Sequence, residues 1–114
     1  MRNMEQIRDR FMKDPPAVRL GGLAADLRRI SSASRRKTGD TQVMMMLEES
    51  QYLIEWTAQE LEAEAAAELV NMQVMLSLWR RSWPTAQHNM TQRTLLAIQA
   101  RSWSDRVLTL AGLK

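Results

Sequence analysis

The sequence predicts an all-α protein, an antiparallel up-and-down bundle of three long or four shorter helices. Three observations predict it. Strong helix formers (Ala, Leu, Met, Gln, Glu, Arg) dominate, and aromatic residues are only 5% of the chain. β-branched residues do not alternate as they would along a half-buried strand. Apolar residues instead recur in steps of three and four along several stretches, the spacing that lines one side of a helix. At 114 residues the chain is one domain's worth, read here as a single unit over 1–114. Its 45% hydrophobic and 25% charged content excludes a disordered chain and collagen. No apolar run reaches the roughly 18 residues of a membrane span.

Residues 1–14 form a short N-terminal amphipathic segment. Within it, 3–13 reads as a helix with Met4, Ile7, Phe11 and Met12 on one side. Asp14-Pro15-Pro16 then punctuates. Asp suits a cap and Pro the first turn, so a long helix is expected from near Pro16 to about Arg36. Leu20, Leu23, Leu27 and Ile30 form its seam. Gly21-Gly22 inside it points to a frayed turn or a close helix–helix approach. Thr38-Gly39-Asp40 reads as a turn, with Gly39 suited to a left-handed conformation.

Thr41 to Trp83 is one helix or two. Val43, Leu47, Ser50, Ile54, Thr57 and Leu61 keep one rhythm. Ala65, Leu69, Met72, Leu76, Trp79 and Trp83 keep another, slipped by one step. Thr57-Ala58-Gln59-Glu60 has the form of a capping box, which places a break near Trp56–Ala58. An unbroken helix would be long for this chain, roughly 63 Å at 1.5 Å per residue. Trp83-Pro84-Thr85 is expected to end the segment, because proline disfavours helical geometry in the residue before it. A last helix then starts between Thr85 and Asn89 and runs to about Leu110. Its seam is Leu96, Ala100, Trp103, Val107 and Leu110, and Ala111-Gly112 stops it.

Charge is arranged in blocks. Residues 1–37 hold ten bases and four acids, residues 38–79 hold eight acids and no base, and residues 80–114 hold six bases and one acid. A pI near 10 by itself points to nucleic acid or an anionic surface. The block pattern points instead to basic outer segments lying against an acidic centre. The start of the chain lacks the apolar stretch of a signal peptide.

The chemistry of catalysis is thinly represented. There is no cysteine, and His88 is the one histidine. No Glu precedes a His by three residues, so the di-iron bundle pattern is missing. His88 and Met90, two apart, point in different directions on a helix, against haem ligation. No nucleophile elbow or phosphate-binding loop occurs. Glu60, Glu64 and Glu68 share a helix face beside alanines, which reads as a solvated face. The expectation is therefore a protein without enzymatic activity, metal or cofactor. A buried cavity lined by Glu48, Glu55 and His88 is the observation that would reverse it.

Two binding readings remain. In the first, the chain is an interaction or regulatory module, with Trp79, Arg80, Arg81 and Trp83 as partner anchors, since Trp and Arg dominate binding hot spots. Trp79, Trp83 and Trp103 are expected near one end of the bundle. Self-association is the simplest partner choice, giving a homodimer. Met44-Met45-Met46 points three ways on a helix and adds a candidate adaptable surface. The alternative is nucleic-acid binding through Arg28, Arg29, Arg35, Arg36 and Lys37, supported by Ser31, Ser32 and Ser34.

Four strings carry a resemblance. They are Arg19-Leu20-Gly21-Gly22-Leu23-Ala24, Leu47-Glu48-Glu49-Ser50 with Ile54-Glu55-Trp56-Thr57-Ala58, Ala66-Ala67-Glu68-Leu69-Val70, and Trp103-Ser104-Asp105-Arg106-Val107-Leu108. They resemble a family of small, uncharacterised cyanobacterial helical proteins over nearly the whole chain. The resemblance implies a cytoplasmic bacterial protein and carries over no activity, cofactor or functional residue.

Overall fold

The apolar seams become the facing sides of an up-and-down bundle. The computed structural model describes residues 3–113. Met1, Arg2 and Lys114, counted in the charge blocks and the 1–114 domain, lie outside the described residues. Among those described there are five α-helices: α1 (Met4–Met12), α2 (Pro16–Ser34), α3 (Asp40–Ala58), α4 (Ala63–Ala86) and α5 (Met90–Leu110). A single 3₁₀ turn, Lys37–Gly39, joins α2 to α3. The all-α expectation is borne out, with five helices where three or four were expected. The fifth is α1, the N-terminal amphipathic segment.

Helices α2 to α5 run alternately up and down. α2 packs along both α3 and α5, and α3 packs along α4. α4 and α5 pack only sparsely, their seam bridged by Trp79–Gln99 and Arg106–Glu68. The predicted seams supply the core. Leu20, Leu23, Leu27 and Ile30 are buried, as are Val43, Leu47 and Ile54. Leu69, Leu76, Leu96, Ala100 and Val107 face them from α4 and α5. α2 and α5 approach closely through small residues. Ser31 Oγ donates to the Ala97 carbonyl and Ser104 Oγ to the Ala24 carbonyl, both at 2.7 Å.

Four local expectations are corrected. The break falls at residues 59–62, because α3 runs on through Ala58. Thr57 lies on the buried face of α3 and caps nothing, since its hydroxyl has no partner and is sealed from solvent. Glu60 instead bonds Arg19, and the N-cap of α4 is Glu62. Second, Pro84 sits inside α4, which continues to Ala86. Proline costs most in a helix interior. Here it is exposed in the last turn, while Trp83 and Ala86 are buried on either side.

Third, the N-cap of α2 is Pro15 rather than Asp14, with Pro16 in the first turn as expected. The Asp14 carbonyl accepts from Arg19 Nε at 2.9 Å. Fourth, Gly39 has an ordinary φ of −94°. Its need for glycine is steric: a Cβ there would come 2.3 Å from the Ala33 carbonyl oxygen. The left-handed glycine is Gly112, at φ 76°, where the sequence placed the stop of α5.

Candidate functional site

Two buried arginines, one at each pole, fix the helices that frame the candidate site. At the pole where α2 ends and α5 begins, Arg93 donates to the carbonyls of Ser34 (2.9 Å), Gln87 (3.0 Å) and Arg36, and to the Asp40 carboxylate. Three of these four bonds go to carbonyls where α2 and α4 end and the 3₁₀ turn begins, and they place a cation at negative dipole ends. Its charged plane lies 5.2 Å from the centre of the Trp83 ring. Trp83 Nε1 donates to the Asp40 carbonyl at 3.1 Å. At the other pole, Arg19 bonds the Asp14 carbonyl, the Trp56 carbonyl (3.4 Å) and Glu60. That bond holds the Glu60 carboxyl below its ordinary range.

Sequence reasoning missed both arginines, yet each had a signal. Arg93 stands three residues before Leu96 and Arg19 four before Leu23, so both extend an apolar seam by one turn. A cation on a seam is buried, and a buried cation needs acceptors.

The sparsely packed seam between α4 and α5 is concave and partly apolar. Its groove, about 220 Å³, is lined by Met75, Leu78, Trp79 and Leu95, with Ser82, Gln92 and Gln99 as polar edges. Trp79 forms its floor at 7% exposure and donates from Nε1 to Gln99 Oε1 at 2.7 Å. The helix faces flanking the groove are apolar where solvent-facing helices are normally charged. On α4, Val70, Val74 and Leu78 follow in i,i+4 steps, and Val74 and Leu78 are 54% and 53% exposed. On α5, Leu95 and Ile98 are also exposed, Ile98 at 55%. No Asp or Glu occurs anywhere from Leu69 to Ser104.

The sequence-predicted anchors separate. Trp83 is a core residue at 1% exposure, spent on Asp40 and Arg93, and it presents no ring surface to a partner. Trp79 reaches the groove from below. Arg80 is exposed but turns toward α3, where it meets Glu48 at 3.3 Å. Arg81 is exposed one turn beyond Leu78. Trp103 lies ten residues along α5 from Arg93, about 15 Å away at 1.5 Å per residue, and one turn beyond Gln99, the residue that Trp79 bonds. Trp56 packs with Phe11 and Tyr52, ring centres 5.9 and 5.6 Å away, and seats α1.

Of the basic alternative, Arg28, Arg29 and Arg36 converge on a shallow groove with Ala25, Ser32 and Gln42. Arg35 is exposed, and Lys37 faces a different hollow beside His88 and Arg93. The three converging guanidiniums have partners within the chain: Asp105 for Arg28 (3.3 Å), Asp26 for Arg29 (2.8 Å) and Gln42 for Arg36 (3.1 Å). Arg19–Glu60, Arg93–Asp40, Arg80–Glu48 and Arg106–Glu68 all join an outer basic block to the acidic centre. The blocks fold against each other as their signs require.

Asp26 is the one carboxyl driven far from its ordinary behaviour. Burial, then the neighbouring Glu49 carboxyl, push it up to about 8 against the pull of Arg29. A carboxyl buried beside a second carboxyl keeps its proton more readily. The pair sits at the α2–α3 interface, away from the apolar groove. Glu55 and His88 are exposed, so no buried cavity joins them to Glu48. Among the described residues, no group of three or more His, Asp or Glu side chains is placed to hold a metal ion. None of their helices is long and apolar enough to cross a membrane. In comparisons with known proteins, no family model, curated protein or solved structure matches the chain.

Proposed function

We propose that the protein is a non-enzymatic interaction module whose working surface is the α4–α5 face. One observation carries the reading: the outward stripes of both helices are apolar, half exposed and free of acids, and they flank a groove floored by Trp79. Scattered surface hydrophobics need no explanation, but a contiguous patch rimmed by neutral polar residues marks an interaction site.

The magnitude is sufficient. Val70, Val74, Met75, Leu78, Leu95 and Ile98 together present on the order of 400 Å² of apolar surface. Burying it contributes about 10 kcal/mol at roughly 25 cal/mol per Å². That is comparable with the roughly 4–15 kcal/mol that association costs. The face therefore supports a specific complex of modest affinity.

A photo-crosslinking residue at Ile98, compared with one at exposed Glu55 on α3, tests the reading in cells that express the chain natively. Discrete protein adducts from position 98 alone support it. No adduct, or the same adducts from both positions, removes it.

A further inference from the structure

We infer that the occupant of the α4–α5 face is a second copy of this chain, its α4 laid antiparallel across the α4 of the first. This rests on reading the face as an interaction surface, and it names the partner.

Charge layout along α4 carries the inference. Glu62 and Glu64 stand exposed at its N-terminal end, residues 69–79 carry no charge, and Arg81 stands exposed at the far end. The outer stripe of Val70, Val74 and Leu78 leads straight to Arg81. An antiparallel pair pivoting on Val74 sets Val74 against its equivalent in the second copy, and Val70 against Leu78 of the second copy. The same register sets Arg81 over the small, exposed Ala67 of the second copy, one turn from its Glu64. Each basic end thus meets an acidic end, twice by symmetry, and a two-fold interface uses the same patch on both copies. A parallel pairing would stack Arg81 on Arg81 and Glu64 on Glu64.

Area agrees with this choice. Two apolar faces with their neutral rims of Asn71, Ser77 and Ser82 reach about 1,200 Å² in all, the lower end of specific interfaces.

Sedimentation equilibrium of the full chain, from low to several hundred micromolar, tests the inference. The expected result is a monomer–dimer equilibrium. Val74→Glu, an exposed position whose fold is checked by circular dichroism, should leave monomer only, and Leu78→Arg should do the same. Arg81→Glu should weaken the dimer roughly tenfold, and adding Glu64→Arg should restore it. A monomer at every concentration overturns self-association, and position-specific adducts with a different protein would then leave the interaction reading standing. A dimer indifferent to Val74→Glu, or to the Arg81 and Glu64 exchange, overturns the antiparallel α4 geometry.

Discussion

The guanidinium of Arg93 lies 5.2 Å from the centre of the Trp83 ring, and both side chains are buried. Asp40 binds both, through its carboxylate to Arg93 and its carbonyl to the Trp83 indole. One cation thereby joins α2, α3, α4 and α5. Arg93→Met should destabilise the fold by about 3–5 kcal/mol, because it strands the Ser34 and Gln87 carbonyls and leaves the Asp40 carboxylate without its cation. Arg93→Lys should cost less, keeping the charge but losing the planar fork. Urea unfolding gives both values. Equal, small losses would contradict a keystone role.

Asp26 makes stability fall with rising pH. Its carboxyl ionises near 3.8 when unfolded and near 8 in the fold, so the folded state binds the proton more tightly between those values. Stability is then fullest in acid and declines as pH climbs through that window, by at most about 1.4 kcal/mol per pH unit. Asp26→Asn is neutral throughout and should flatten the decline. Urea midpoints at pH 6 and pH 9, taken for both proteins, decide it. Parallel curves would show that the carboxyl titrates normally.

The glycines should respond oppositely to alanine. Gly39→Ala drives a methyl into the Ala33 carbonyl and should cost about 1–3 kcal/mol. Gly22→Ala meets nothing nearer than Phe11 Cε1 at 3.9 Å and should stabilise α2 by about 0.5–1 kcal/mol. Thermal melts separate the two, and a stabilising Gly39→Ala would refute the steric reading.

With Arg28 paired to Asp105, and Arg29 and Arg36 the charges left on a shallow surface, the α2 patch predicts weak, nonspecific attraction to nucleic acid. Fluorescence anisotropy with a random DNA duplex should show no binding at moderate salt. Binding that persists there, falls steeply with added salt, and drops when Arg28, Arg29 and Arg36 are neutralised would restore the nucleic-acid reading.

Periodicity made the core legible. Every position of the α2 seam and of the α4 seam is buried, because a 3-4 rhythm needs only the helix repeat. Termini were less legible because they depend on partners distant in sequence. Thr57 has the form of a cap but lies on the packed face of α3, and Glu60, its apparent partner, is taken by Arg19 from 41 residues away. The tryptophans show the same limit. Trp79 and Trp83 share spacing and flanking arginines, yet Trp83 is sealed under Arg93 and Trp79 floors the groove. Only the sparse packing of α4 on α5 separates them, and no local pattern encodes how closely two helices approach. The acid-free stretch from Leu69 to Ser104 was visible in the sequence and is the nearest thing to an early sign of the face.

Methionine oxidation offers the most direct test that the α4–α5 face is covered in solution. Met75 edges the groove, and Met45 is exposed on α3. Oxidation rates by peptide mass spectrometry, measured over rising protein concentration, should fall for Met75 and stay constant for Met45. Equal rates for both residues at every concentration would contradict the account.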